Sequence, residues 1–200
     1  MAVKVGIVGL GFMGKMHFNV YQAMPNARVT AICDIDPKKR AGDWSAIGGN
    51  ISGREQTQNL EGIEMFANID DMLKKADMDV VDITLPTYLH AENAIKAMNA
   101  GFDVFCEKSM AINSTEARKM ADTAARKRKR LFIGHCIRFW PMYEKAREIV
   151  KSKKYGPVIS ATFRRVSPIA LWGWENWLQQ PAKSGLAALA LHIHDADFIL

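Results

Sequence analysis

No stretch of this 200-residue sequence approaches the roughly 18 consecutive apolar residues of a membrane-spanning helix, so none is expected here. Cysteine is scarce. Cys33, Cys106 and Cys136 form an odd, scattered set that matches neither a disulfide framework nor a metal-ligand spacing, and no metal site is expected. Each lies in an apolar, strand-like context, which predicts buried, reduced thiols in a reducing compartment. No internal repeat and no low-complexity linker interrupts the chain. Nothing resembling a secretory signal precedes the first strand-like run, so a cytoplasmic location is expected. Disorder is excluded by composition, because 48% of the residues are hydrophobic, ample for a core. The net charge of +6 owes much to one run, Arg126 to Arg130. That run follows a helix-like segment and precedes a strand-like one. It reads as a solvated helix end whose cations suit the helix dipole. No interleaved aromatic platform supports nucleic-acid binding.

What the sequence does contain is concentrated between Lys4 and His17, KVGIVGLGFMGKMH. A short apolar run reads as a buried parallel strand. Gly9, Gly11 and Gly14 follow in G-x-G-x-x-G spacing and lead into a helix. In a dinucleotide site the first glycine allows the tight turn and the second lets backbone approach a pyrophosphate. The third lets helix and strand pack closely. The free N–H groups and dipole of the helix start attract phosphate. A second strand-like run, Arg28 to Asp36, carries Asp34 twenty residues past Gly14, where the fingerprint places a ribose-binding carboxylate. Strand, turn, helix, strand and acid together distinguish this from an ordinary glycine turn.

Alternating strand-like and helix-like segments predict an α/β fold, a doubly wound Rossmann-type parallel sheet with helices on both faces. Strands are expected at Lys4–Val8, Val29–Cys33, Val80–Thr84, Asp103–Cys106 and Leu131–Gly134. Helices are expected near Gly14–Met24, Ile69–Ala76, His90–Ala100 and Ser114–Ala125, with Asp70 or Asp71 and Ser114 as caps. Gly101 suits a helix stop. A helix and loop are expected within Ala41–Glu61. Near residue 135 the character changes to an amphipathic helix, Pro141–Lys151, and a turn at Tyr155–Pro157. A strand, Val158–Val166, an aromatic loop, Leu171–Leu178, and a helix from about Ser184 to the end complete the chain. The division expected is a dinucleotide-binding domain over 1–134 and the beginning of a second α/β domain over 135–200. One strand with one or two helices cannot cover a sheet face, which suggests a fragment of a longer chain.

Three constellations fall where such a fold places ligands, beyond the carboxyl ends of strands. Thr84–His90 contains Pro86, which stiffens a loop able to flank a nicotinamide. It also contains His90, which either lines the cleft or bonds backbone at a helix start. Glu107 and Lys108 emerge at a strand end. A lysine there can exchange protons with substrate if burial lowers its pKa, although a surface ion pair is the plainer alternative. In Leu189–Asp197, His192 and His194 would point about 200° apart on a helix, which excludes a helical two-histidine metal site. Local packing is the plainer role for both.

The order GLGFMG, Asp34, LPTYLH, EKS, GHCIRFWP, SGLAALALHIHDAD resembles the glucose–fructose oxidoreductase and inositol dehydrogenase family of NAD(P)-dependent oxidoreductases across nearly the whole chain. The resemblance implies a Rossmann domain followed by an α/β domain with a largely antiparallel sheet that carries substrate and homo-oligomer contacts. It implies hydride transfer between nicotinamide and a hydroxyl-bearing carbon of a sugar, sugar derivative or cyclitol. NAD is favoured by Asp34, with NADP possible because Lys38, Lys39 and Arg40 follow. Gly9, Gly11, Phe12, Met13 and Gly14 would form the pyrophosphate turn. Asp34 would meet the ribose, and Pro86, His90, Glu107 and Lys108 would line the cofactor cleft. Lys108 and His194 would be catalytic, and Arg138, Trp174, Asn176 and His194 would face substrate. Two departures stand out. Ser109 replaces the family's proline after the lysine. Ala190 stands where the family's aspartate is expected, one helical turn before His194. The alternative this raises is an impaired or non-catalytic dinucleotide-binding sensor or scaffold.

Overall fold

The computed structural model describes residues 2–49 and 57–200. Six parallel strands form one sheet in the order β3-β2-β1-β4-β5-β6. They are β1 (Val3–Val8), β2 (Ala27–Cys33), β3 (Glu64–Phe66), β4 (Val80–Ile83), β5 (Asp103–Cys106) and β6 (Leu131–Ile133). The helices between them are α1 (Phe12–Ala23), α2 (Pro37–Arg40), α3 (Ile69–Lys75), α4 (His90–Asn99) and α5 (Ser114–Lys127). The order reverses between β1 and β4, and doubly wound sheets bind ligands in the crevice that such a reversal opens at the carboxyl ends of the strands.

The two faces of the sheet carry separate cores. Val81, Ile83, Val104 and Cys106 point to one face and pack with Met72, Ala94, Met98 and Met120 of the helices there. Val5, Ile7 and Ile32 point to the other and pack with Leu10, Phe18 and Trp44. The period of two along each strand enforces this division. Asp82 falls on the second face and is fully buried, an unusual residue for the centre of a parallel sheet.

Several expectations need correction. The sheet has a sixth strand, β3, that sequence reading missed because three residues are too short for a period to register. The caps of α3 and α5 are Asn68 and Asn113, each one residue or more before the positions expected. Their side chains accept from Asp71 N and Glu116 N. In the Ala41–Glu61 segment no helix occurs over 41–49 or 57–61, and the remainder lies outside the described residues.

Beyond β6 the chain forms α6 (Pro141–Ser152), α7 (Pro181–Ser184), α8 (Leu186–Ala190) and α9 (Ile193–Ile199). The strand expected over Val158–Val166 is absent. Val158, Ile159 and Val166 are exposed, and among the described residues no second strand lies beside them to complete a ladder. No antiparallel sheet is present among the described residues. The long C-terminal helix is instead three short ones. Gly185 and Leu186 take left-handed φ values of 66° and 53°, and Leu191–His192 form a second break. Cys136 is exposed on a turn rather than buried in a strand, whereas Cys33 and Cys106 are buried.

Candidate functional site

The glycine turn is built as its spacing requires. Gly9 has φ +95°, a conformation that L side chains rarely adopt. Thr84 Oγ1 donates to the carbonyl of Gly9 at 2.6 Å and ties the turn to the end of β4. A Cβ on Gly14 would lie 2.0 Å from the Gly9 carbonyl oxygen, so only glycine allows α1 to press this closely on β1. A Cβ on Gly11 would meet nothing within 4 Å, so the backbone there faces open space. Gly11 is the N-cap of α1, and the first turn carries no acidic residue to offset the helix dipole. The first-turn N–H groups of Phe12, Met13 and Gly14 have no partner within the helix. This cradle fits a diphosphate.

Asp34 closes the cradle from the end of β2. Its carboxylate accepts from Leu10 N at 2.6 Å and from Asp36 N at 2.8 Å. Lys39 Nζ lies 3.9 Å away, and Arg40 donates to the carbonyls of Asp34 and Ile35. The basic residues after Asp34 are therefore partly committed to the acidic turn itself. Across the cleft, Phe12 meets Trp172 edge-on at 6.3 Å between ring centroids. A Cβ on Gly48 would press on Trp172, and one on Gly49 would overlap the Phe12 ring. The aromatic loop thus reaches the glycine turn.

At the end of β5 stand Glu107, Lys108 and Ser109. Lys108 Nζ donates to the carbonyl of Ala190 at 2.6 Å, and Ser109 Oγ donates to the carbonyl of Leu189. Burial is the main force on Lys108 and lowers its pKa. The charge of Glu107 opposes that shift, and Arg165 adds to it. The surface ion pair considered from sequence is therefore not what forms: the side-chain nitrogen is turned onto the C-terminal carbonyl of α8. His194, nearby on α9, is 9% exposed, and burial first, then the charges of Lys108 and Arg165, bring its pKa down to about 4. Its Nδ1 is buried without a partner, as is Nδ1 of His135, whose ring meets that of His194 edge-on at 6.2 Å.

Other sequence-derived positions are held by the protein. His90 is buried with Nδ1 2.7 Å from the Ser109 carbonyl and Nε2 2.7 Å from the Leu85 carbonyl. It fastens the Pro86 loop to the Lys108 turn. Arg138 pairs with Asp197 through two bonds of 2.6 Å. Asp195 pairs with Arg165 at 2.7 Å and with His192 at 3.0 Å. Trp174 and Asn176 sit on the exposed 174–179 turn, and neither shares a hydrogen bond with Lys108 or His194.

Sequence reasoning missed His17, His135 and Asp82. His17 Nδ1 lies 2.8 Å from Asp82 and Nε2 lies 3.1 Å from Glu107. Burial opposes charge on this ring, yet the bonds and charges of the two carboxylates outweigh it and push the pKa up to about 10. The signal was present in VVDI. An aspartate inside an apolar strand must find a buried partner, and His17 lies one helical turn after Gly14, on the face that packs against the sheet. Among the described residues no group of three or more His, Cys, Asp or Glu is arranged to hold a metal ion, and no helix is long and apolar enough to cross a membrane.

The two histidines give stability opposite pH dependences. Between pH 6.5 and about 4 the unfolded chain binds a proton that folded His194 refuses, so stability falls with acidification through that window. His17 contributes fully below pH 6.5, and its contribution is lost as pH rises towards about 10. Melting temperatures measured from pH 4 to 10 should show both limbs, with the alkaline limb flattened in His17→Gln.

Comparison with known proteins identifies the family. The model of the GFO/IDH/MocA group, described as an oxidoreductase family with an NAD-binding Rossmann fold, matches residues 3–135. Among curated proteins, inositol 2-dehydrogenase 3 of Saccharopolyspora erythraea is 25% identical over 98% of this chain and 52% of its own length. The 2,7-anhydro-N-acetylneuraminate hydratase of Escherichia coli is 27% identical over 98% of this chain and 48% of its own. The chain therefore spans about half the length of the curated relatives it matches. The crystal structure of scyllo-inositol dehydrogenase from Lactobacillus casei with bound NAD(H) and scyllo-inositol superposes with a TM-score of 0.65 at 30% identity. That match covers 78% of this chain and 43% of the other. With residues 3–135 matched, the chain belongs to this oxidoreductase family with the NAD-binding Rossmann fold.

Proposed function

We propose that the chain is the cofactor-binding part of an NAD-dependent dehydrogenase acting on a hydroxyl-bearing carbon of a sugar, sugar derivative or cyclitol. Bound NAD would supply the hydride-accepting ring, and the protein would supply orientation and proton handling. Gly9, Gly11, Phe12, Met13 and Gly14 would hold the diphosphate. Asp34 would accept from the adenosine ribose and disfavour a 2′-phosphate, so NAD is preferred and NADP is the weaker ligand. Pro86, held by His90 beneath it, and Glu107 would wall the nicotinamide end of the cleft.

The observation that carries the reading is Lys108. Its amine projects just beyond the carboxyl end of β5, with its pKa lowered by burial and beside a histidine whose pKa burial also lowers. Such an amine can take the hydroxyl proton as hydride leaves. His194, uncharged, would accept or donate a hydrogen bond to align the hydroxyl. Arg138, Trp174 and Asn176 would contribute to the substrate side. We extend the reading to a division at residues 134/135, to a largely antiparallel sheet in the second domain with a homo-oligomer contact, and to a cytoplasmic location. The buried thiols Cys33 and Cys106 accord with the last of these.

The test separates binding from turnover. NAD and NADP are titrated against the full-length protein, and NADH formation is followed with inositols and hexoses. NAD binding without reduction across that panel would favour the sensor reading. Ala190→Asp sharpens the distinction, since it adds a carboxylate beside the amine that now rests on the Ala190 carbonyl. Turnover should rise by about tenfold or more if an acid–base partner is what is missing. An unchanged rate would remove Ala190 as the explanation of slow catalysis.

A further inference from the structure

His17 belongs to the glycine-turn helix, yet it reaches across to the lysine's strand. The geometry follows from strand parity. Asp82 on β4 is in register with Phe105 on β5. Residues 105 and 107 share a face, the one covered by α1. The ring of His17 packs 5.6 Å from the Phe105 ring, with Asp82 on one nitrogen and Glu107 Oε1 on the other. Glu107 Oε2 then accepts the backbone N–H of Lys108 at 3.1 Å. A continuous chain of hydrogen bonds thus runs Asp82, His17, Glu107, Lys108.

We infer that His17 is a positioning residue, whose two ring N–H groups donate to Asp82 and Glu107 and so fix the turn from which the Lys108 amine projects. The inference rests on the proposed role of Lys108. An imidazole can donate from both nitrogens only as the cation, and two carboxylates require that both be donors. The groups that face the ring are Asp82 from β4 and Glu107 from the end of β5; Tyr21 of α1 bonds Asp82 in turn, and Lys108 lies beyond Glu107. Glutamine or phenylalanine at position 17 cannot serve both carboxylates. The Glu107 side chain would then be free to turn, and the Lys108 backbone would lose its acceptor.

Two measurements on the full-length protein decide the matter. The first uses nitrogen-15 histidine labelling and NMR at pH 7.5, with no cofactor or substrate. His17 should show two ring N–H protons, and Glu107→Leu, which removes the acceptor from Nε2, should leave it with one. A single ring proton on His17 in the unaltered protein would overturn the inference, whatever the enzyme does. The second compares His17→Gln with the parent in NAD titration and steady-state kinetics. A displaced reacting group costs on the order of 10²-fold in kcat, whereas the Kd for NAD should stay within about threefold because the glycine turn does not use His17. An unchanged kcat would overturn the inference, as would equal losses in NAD affinity and kcat. If the unaltered protein turns over no sugar or cyclitol, the assignment of Lys108 fails separately, and the ring-proton count still tests the bridge.

Discussion

Replacing Lys108 by methionine is expected to lower kcat by about 10²–10⁴-fold, the usual cost of removing a positioned acid–base group. Methionine retains the apolar stem and can lie in the same space. What is lost is one donor, the amine that meets the Ala190 carbonyl at 2.6 Å, and with it the proposed acceptor of the hydroxyl proton. Affinity for NAD should hold within a few fold, because the glycine turn follows β1 whereas Lys108 follows β5, two strands away. Initial rates and calorimetric titrations on the same preparations test this. A variant that keeps its rate would show that the proton leaves by another route.

The second large effect concerns the turn itself. Gly14→Ala places a methyl group 2.0 Å from the Gly9 carbonyl oxygen, a backbone atom that no rotamer change can move. The helix must back away from the strand. Overpacking of this kind costs about 1–3 kcal/mol of stability. The larger consequence is for ligand binding. Withdrawal of α1 carries the N–H groups of Phe12, Met13 and Gly14 away from the diphosphate, and NAD affinity should fall by at least about 10²-fold, or roughly 2.7 kcal/mol. Gly11→Ala is the internal control, since its Cβ meets no protein atom. It should leave stability nearly unchanged and weaken NAD alone. Equal losses from both variants in the melting temperature would contradict this division of labour.

Much of this was legible from residue order. The glycine spacing, the acid twenty residues on and the apolar runs located five of the six strands and the glycine turn that caps α1. The signals were local and their physics is local too. β3 escaped because three residues carry no usable period. The C-terminal helix was drawn too long because LALHIHDAD is helix-compatible throughout, while the breaks depend on left-handed φ at Gly185 and Leu186 and on how the segment docks against the Lys108 turn. That docking is tertiary. It also explains why Arg138 and Asp197, 59 residues apart, were never seen as a pair. His17 and Asp82 show the converse case. A buried aspartate in VVDI called for a cation from the helix overhead, and the pairing could have been deduced from helix and strand periods alone.

Every proposed role depends on the turn from Gly9 to Gly14 holding a nicotinamide dinucleotide by its diphosphate. Calorimetric titration of the folded, full-length protein with NAD and NADH tests it most directly, with Gly14→Ala alongside. A single saturable site for NAD or NADH, lost in the variant, is the expected result. Absence of binding by both forms in the unaltered protein, or undiminished binding in Gly14→Ala, would contradict it.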